Sequence, residues 1–384
     1  MWKHIAANAL TLLIVGFVVL GGVLAMGQRS FHAEGPLEQA ICLRVEQGAN
    51  LRAVTRQLEA QEAISSGILF RIGAQYTERD DRLRFGSYLI EPGVSMDQIL
   101  DIVTRGGAST CGTEVVLRVG VTRAELLVRD LDTATGRFAE VALMPVDSED
   151  RPEEFDAVLE QADTRFRVTL AEGVTSWQVW FALTNAPFLE GELPEVPAEG
   201  SLATESYEVR PGADRATLID EMQARQSAIL SAAWENRAEG LPLDSPEEAL
   251  ILASIVEKET GQPQERPQVA SVFVNRLRVP MRLQTDPTVI YGITQGEGVL
   301  GRGLRRSELD ARTPYNTYQI DGLPPTPIAN PGRAAIEATL NPDETPYLYF
   351  VADGTGGHAF ATNLADHNSN VARWREIEAQ QRSQ

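Results

Sequence analysis

The sequence predicts an α+β protein on an N-terminal transmembrane helix, with a small α/β module, a β-rich insertion and a larger C-terminal α+β domain. Three observations predict it. Residues 5–26, from Ile5 to Met26, are almost purely apolar, and about 20 such residues span a bilayer core. A strand-helix-helix-strand-helix series follows over residues 41–105, and a β-rich stretch occupies 114–170. Amphipathic helices and proline-stiffened loops dominate from residue 176 onward. The expected divisions are 1–27 for a cytoplasmic tail and the anchor, 28–112 for the module, 113–165 for the insertion and 166–384 for the C-terminal domain.

The 384 residues suffice for two or three domains, and 43% hydrophobic with 23% charged residues is a globular composition. A net charge of −20 excludes a nucleic-acid partner, because no basic field exists to release phosphate counterions. The apolar run is longer than the ~7–15 residues of a signal-peptide core. An uncleaved single-pass anchor is therefore preferred, although Val23-Leu24-Ala25 could pass as a cleavage site. Lys3 and Arg29 flank the run and leave its orientation undecided. The short N-terminal tail suggests that the bulk of the chain is translocated. Cys42 and Cys111 have no metal-ligand spacing; they either pair or are separate buried thiols, and an exported domain favours a disulfide.

After the linker, residues 41–45 read as a strand and Asn50 caps a helix reaching about residue 61. A helix over 65–75, a strand over 85–90, a turn at Glu91-Pro92-Gly93 and a helix over 95–105 complete the module. That order resembles a LysM-type sugar-binding module, and a plain spacer reads equally well. Residues 115–119, 124–131, 137–143 and 166–170 read as strands, and the acidic run 147–156 as a solvated loop. A helix over 176–184 carries Trp177, Trp180 and Phe181, read as core residues, with stacking on sugar rings as the alternative. A Pro- and Glu-rich connector over 187–201, a strand over 207–210 and a long helix over 214–237 follow.

Residues 245–261 hold the strongest helix signal: Ser245 as N-cap, Pro246 at the first position, Glu248 completing a capping box, and Gly261 as a C-terminal stop. Residues 249–256 are apolar apart from Ser254, so the helix is buried. Leu250, Ser254 and Glu257 share one stripe, which brings Glu257 to a partly buried C-terminal turn. Burial and the negative end of the helix dipole should raise its pKa, as a general acid requires. The alternative is that Glu257 and Glu259 are ordinary solvated residues on a fraying turn. Beyond it lie a helix near 269–278 and irregular loops rich in Tyr, Asn, Gln and Thr, then a strand over 347–352, a turn at 353–357 and a return strand from His358. Asp286-Pro287 reads as a turn and His367-Asn368 as the start of the last helix. His358, His367, Asp353 and Asp366 fit no metal-ligand spacing, and no Gly-x-Ser-x-Gly elbow is present; no metal and no cofactor is implied. A hydrolase needing two carboxylates would have to recruit Asp286.

Ala253-Ser254-Ile255-Val256-Glu257-Lys258-Glu259-Thr260, residues 270–277, 281–291, 315–318 and 322–325, and Gly357-His358 within 346–363 resemble the signature blocks of the YceG-like endolytic murein transglycosylases (MltG). The resemblance covers residues 198–384 and extends to the anchor and LysM-like module in outline. It implies a YceG-like catalytic domain that cleaves nascent peptidoglycan glycan strands non-hydrolytically to 1,6-anhydroMurNAc ends. A single-pass protein of the bacterial inner membrane, with most of its chain in the periplasm, is implied as well. The catalytic residue falls on Glu257, acting as acid and then base, with Glu259 dispensable. Gln284, Thr285, Asp286, Tyr315, Asn316, Tyr318, His358 and Asn363 would hold the glycan, and peptidoglycan synthases are the implied partners. A silent peptidoglycan-binding scaffold and an ordinary hydrolase are the alternatives. Thr204-Glu205-Ser206-Tyr207 departs from the family's Pro-Asp-Thr-Tyr, and Thr326 from the glycine that often follows the two prolines.

Overall fold

The computed structural model describes residues 2–105, 110–159, 161, 164–193 and 195–382. It has the α+β class read from the sequence and divides into two units: Met1–Val115, Leu127–Leu143 and Asp150–Arg165 form one, and Val116–Leu126, Met144–Glu149 and Phe166–Gln384 the other. Asp163, inside the expected insertion, lies outside the described residues.

The first unit starts with α1 (Trp2–His32), whose segment Leu10–His32 is long and apolar enough to cross a membrane. Next come β1 (Ile41–Val45), α2 (Leu51–Ala60), α3 (Gly67–Tyr76), β2 (Gly86–Ile90) and α4 (Met96–Arg105). β1 and β2 pair antiparallel with Leu43 opposite Tyr88. Caps place the helices: Asn50 accepts from the Ala53 N–H at 3.0 Å and Ser66 from that of Leu69 at 3.3 Å, so α3 starts two residues later than expected. Leu43, Val54, Leu58, Phe70, Ile90, Ile99, Leu100 and Val103 form its core, each burial contributing roughly 1.5–3 kcal/mol. Cys42 and Cys111 are joined in a disulfide with Cα atoms 5.8 Å apart; Cys111 stands just before the next strand rather than in one.

β3 (Thr113–Val119), β4 (Ala124–Asp132) and β5 (Arg137–Pro145) are followed by α5 (Glu153–Leu159), β6 (Arg165–Leu170), α6 (Ser176–Asn185), β7 (Leu189–Glu190) and β8 (Ser206–Val209). The acidic run read as loop thus holds the start of α5. One five-stranded sheet has the order β5-β4-β3-β6-β8, so residues 113–165 share hydrogen-bonded strands with β6 and β8.

The second unit continues with β9 (Ala213–Asp214), α7 (Arg215–Glu235), α8 (Pro246–Glu259), α9 (Arg266–Arg278), α10 (Asp286–Thr294) and α11 (Arg306–Asp310). It closes with α12 (Arg333–Leu340), β10 (Tyr349–Ala352), β11 (His358–Ala361) and α13 (Leu364–Arg382). The Arg215 guanidinium donates to the carbonyls of Leu183, Ala186 and Gly191 at 2.6–2.9 Å, closing the end of α6. The core gathers Leu252, Ile255, Val256, Phe273, Leu283, Ile328, Ile336 and Leu340 from α8, α9, α12 and their loops. Two local readings are corrected. Asp286 and Pro287 open α10 rather than a free turn, because proline's fixed φ suits a first helical turn. α13 begins at Leu364, with Asn363 Oδ1 accepting from the Asp366 N–H at 3.0 Å, so His367 lies one turn inside it.

The disulfide closes a sequence separation of 69 residues, worth about 4 kcal/mol by unfolded-chain entropy. Replacing both cysteines by serine should lower the chemical-denaturation midpoint followed by exchange of the α2–α4 amides, and leave that of α8 and α9 unchanged. An unaltered α2–α4 midpoint would contradict that value.

Candidate active site

α8 is defined at both ends. Ser245 Oγ accepts from the Glu248 N–H at 3.3 Å, Pro246 occupies the first turn, and the Glu248 carboxylate reaches the Asp244 N–H at 2.7 Å, one residue earlier than a capping box requires. At the other end the chain leaves through Thr260 in an extended conformation, so Gly261 is not used as a left-handed stop. Thr260 Oγ1 accepts from the Gln262 N–H at 3.0 Å and turns the chain in its place.

The last turn carries two glutamates, two residues and so about 200° apart around the helix. Glu257 lies on the stripe with Ser254. Ser254 Oγ accepts from the Ile328 N–H at 3.0 Å, and Glu257 Oε2 accepts from the Gly332 N–H at 3.0 Å. Gly332 is the N-cap of α12 and has no side chain to cap it, so the Glu257 carboxyl oxygen takes that place at the helix N-terminus. Asn330 is fully buried between these anchors, bonded to the Leu202 N–H, the Val174 carbonyl and Ser176 Oγ. The Glu257 side chain is 6% exposed, with Arg266 3.9 Å away and reaching Glu172 at 3.3 Å. Burial, with the nearby Glu172 charge, pushes its carboxyl up against the lowering effect of the Gly332 N–H, Arg266 and Lys258.

Glu259 lies on the stripe of Leu252 and Ile255, both fully buried. It forms the inner wall of a cavity of about 470 Å³. Thr285 Oγ1 donates to Glu259 Oε1, and the Tyr318 hydroxyl donates to Asp286 Oδ1 at 2.7 Å. Gln284 holds a left-handed backbone with φ of 48°, a strained state for a residue with a side chain, fixed by its N–H on the Thr317 carbonyl at 3.2 Å. Arg276, Tyr349 and His367 line the cavity as well. Arg276 is pinned on the Leu348 and Leu283 carbonyls at 2.7 and 2.6 Å. His367 stacks on Tyr349 at 5.1 Å, and burial, aided by Arg276, pushes its imidazole down toward the neutral form. Its buried Nδ1 has no hydrogen-bond partner among the described residues. Burial above all, and the Asp286 charge, push the Glu259 carboxyl up, opposed by the Thr285 hydroxyl, His358 and Arg276. The site thus presents a carboxyl whose proton is held more tightly than usual, among hydroxyl, amide and aromatic groups.

The eight expected glycan-holding residues divide. Gln284, Thr285, Asp286 and Tyr318 line this cavity. Tyr315 instead bonds Thr326 Oγ1 at 2.8 Å beside Tyr291. Asn316 is fully buried and locks its own loop through the carbonyls of Glu308, Leu309 and Ala311. His358 Nδ1 meets Glu265 Oε2 at 2.8 Å, and Asn363 caps α13. A second cavity, about 350 Å³, is lined by Thr175, Gln178, Lys258 and Tyr291. Arg276, Tyr349 and His367 also line the cavity and carry no signal in the sequence. A local signal does exist for Glu259: its stripe is the more apolar one, with Leu252 and Ile255 where the Glu257 stripe has Leu250 and Ser254.

The description of the YceG-like family matches residues 43–373. Proteins named endolytic murein transglycosylase are similar: that of Streptococcus pneumoniae is 27% identical over 339 residues, 86% of this chain and 58% of that protein. That of Bacillus subtilis strain 168 is 26% identical over 355 residues, 91% of this chain and 89% of that protein. The chain thus spans less than two thirds of the pneumococcal relative's length. A crystal structure of a yceG-like protein from Listeria monocytogenes is 22% identical, with a TM-score of 0.47, and the match covers 86% of this chain and 99% of that one.

A carboxyl whose folded-state pKa lies above its unfolded value takes up a proton on folding. Its contribution is intact below the unfolded pKa and is lost as pH rises through the folded pKa. Glu259→Gln should therefore raise the melting temperature by a few degrees at neutral pH, with the gain vanishing near pH 4. A gain that is independent of pH, or a loss at neutral pH, would contradict the raised pKa.

Proposed function

This chain belongs to the YceG-like family, and on that premise we propose that it is a peptidoglycan lytic transglycosylase with Glu259 as its single acid and base. It cleaves the MurNAc–GlcNAc bond of nascent glycan strands, and so ends their elongation. The observation that carries the assignment within the molecule is the buried Glu259 carboxyl in a cavity lined by Gln284, Thr285, Asp286 and Tyr318. Thr285 fixes one carboxyl oxygen; the other carries the transferable proton. That proton goes to the glycosidic oxygen as the bond to muramic acid C1 breaks. The same sugar's C6 hydroxyl then attacks C1 and its proton returns to Glu259, so no water is consumed and a 1,6-anhydro end forms. One carboxylate suffices, because it acts in sequence as acid and as base. Asp286, held by the Tyr318 hydroxyl, keeps the local field negative and favours the cationic character of the transition state.

A second reading gives the proton transfer to Glu257, whose carboxyl is also pushed up by burial. Its bond to the Gly332 N–H speaks for a structural role. In this proposal α1 anchors the chain in the inner membrane, and the bulk lies in the periplasm. Residues 28–112 are its LysM-like module and 166–384 its catalytic domain, and synthases of the same glycan are its partners.

Purified peptidoglycan digested with the full chain and weighed by mass spectrometry should yield anhydro ends, one water lighter than reducing ends. Glu259→Gln should lower their release by several orders of magnitude while glycan binding survives. Glu257→Gln should keep activity within roughly tenfold, and Asp286→Asn should weaken turnover without silencing it. Near wild-type release by Glu259→Gln, with silence in Glu257→Gln, would move the chemistry to Glu257. Reducing ends would identify a hydrolase, and no cleavage by the wild-type chain a scaffold.

A further inference from the structure

The first unit carries a face that the proposed reaction does not use. On α3, Ile68, Ile72 and Tyr76 recur every four residues and are 64%, 56% and 88% exposed. A soluble helix turns such a stripe inward, and the inward stripe of α3 is already filled by Phe70 and Ala74. Three arginines flank the exposed stripe: Arg52 and Arg56, one turn apart on α2, and Arg71 on α3. All three line one depression of about 500 Å³, and Arg52 and Arg71 share a neighbouring one of similar size with Ile68, Ile72 and Asp80. Among the described residues none of the three guanidiniums has an ion-pair partner. In a chain of net charge −20, a cluster of unpaired cations beside an apolar stripe is against the general composition.

The position of α3 gives the cluster its meaning. α1 packs on α3 and α4. A Cβ on Gly27 of α1 would stand 3.3 Å from Leu69 Cδ2, and one on Gly73 of α3 would stand 2.2 Å from the Phe31 ring, so α1 and α3 touch closely along this line. Leu69 and Gly73 neighbour Ile68 and Ile72 on the helix surface. Gly27 is one residue past Met26, where the apolar run of α1 ends. At 1.5 Å per residue, α3 therefore meets α1 within a turn of the membrane exit. An apolar stripe rimmed by arginines at that height has the chemistry of an interfacial helix.

We propose that the α2–α3 face docks on anionic lipid headgroups of the leaflet from which α1 emerges, with Ile68, Ile72 and Tyr76 entering the acyl boundary and Arg52, Arg56 and Arg71 on phosphates. The proposal rests on α1 as a membrane anchor and is independent of the reaction catalysed at Glu259. Docking at two points, helix and face, fixes the tilt of the first unit on the membrane. Each arginine near an anionic surface is worth roughly fivefold in affinity.

The test places the full chain in nanodiscs of phosphatidylcholine alone or mixed with phosphatidylglycerol, and measures hydrogen exchange of the α3 amides. Phosphatidylglycerol should slow exchange over Gly67–Tyr76 by roughly tenfold or more, with exchange in α8 and α9 unchanged. Arg52→Glu with Arg56→Glu and Arg71→Glu, or Ile68→Ser with Ile72→Ser, should abolish the slowing while the β1–β2 and α4 amides keep their protection. Slowing that is indifferent to phosphatidylglycerol, or that survives the triple charge reversal, would overturn the proposal. So would slowing caused by soluble glycan fragments instead of lipid, which would make the face a sugar site. A chain that fails to enter neutral discs would overturn the anchor and this proposal with it.

Discussion

The burial of two carboxylates on the last turn of one apolar helix is the constraint on which the catalytic unit depends. α8 is packed along Leu252, Ala253, Ile255 and Val256, so its end is held by core rather than by solvent. Two residues of separation turn Glu257 and Glu259 to opposite faces. Glu257 ties α8 to the N-terminus of α12, and Ser254 one turn earlier ties it to Ile328. With that side anchored, the Glu259 side is free to border a cavity whose floor and rim come from α9, the start of α10 and the loop at Tyr318. Both carboxyls are pushed up for the same first reason, loss of water, and differ in what they face: a backbone N–H in one case, a polar cavity in the other. Perturbation alone does not single out an acid; perturbation beside an open polar volume makes a candidate of Glu259.

The cavity is stiff. Thr285 holds Glu259, its own N–H is held by Thr317 at 3.0 Å, and Thr317 is shared with Thr288 of α10 at 2.9 Å. This chain of buried hydroxyls sustains the left-handed Gln284 backbone, which places Gln284 at the cavity edge. Strain so held is a means of fixing donor positions before a substrate arrives.

Much of this was legible in the sequence, and the rest was not for identifiable reasons. The start of α8, the module strands and helices and the β10–β11 hairpin follow from capping residues and periodicity, which are local; the exit of α8 through Thr260 does not. The division of labour between Glu257 and Glu259 is not local: it depends on where Gly332, about 75 residues on, places its N–H. The stripe of Leu250, Ser254 and Glu257 reads as packed and so points to Glu257; in the fold Ser254 is spent on the Ile328 N–H. The family resemblance offers Asn316 and Asn363 as glycan donors; in the fold their hydrogen-bonding groups are consumed by a loop and a helix end. Arg276, Tyr349 and His367 are not legible in the sequence because α9, β10 and α13 meet at the cavity only through tertiary packing. The segment of residues 113–165 read as an insertion from its change of character, and the sheet order joins it to β6 and β8.

The most direct test of the central claim, that Glu259 carries the proton, is the pH profile of kcat/KM for cleavage of purified glycan strands by Glu259→Asp and Glu257→Asp. Shortening the catalytic carboxylate withdraws it from Thr285 and from the substrate, so it changes both the rate and the pH at which the acid form is lost. The account predicts that Glu259→Asp alone lowers the rate and displaces the alkaline limb, while Glu257→Asp keeps the wild-type profile. An alkaline limb that follows Glu257→Asp and ignores Glu259→Asp would contradict it.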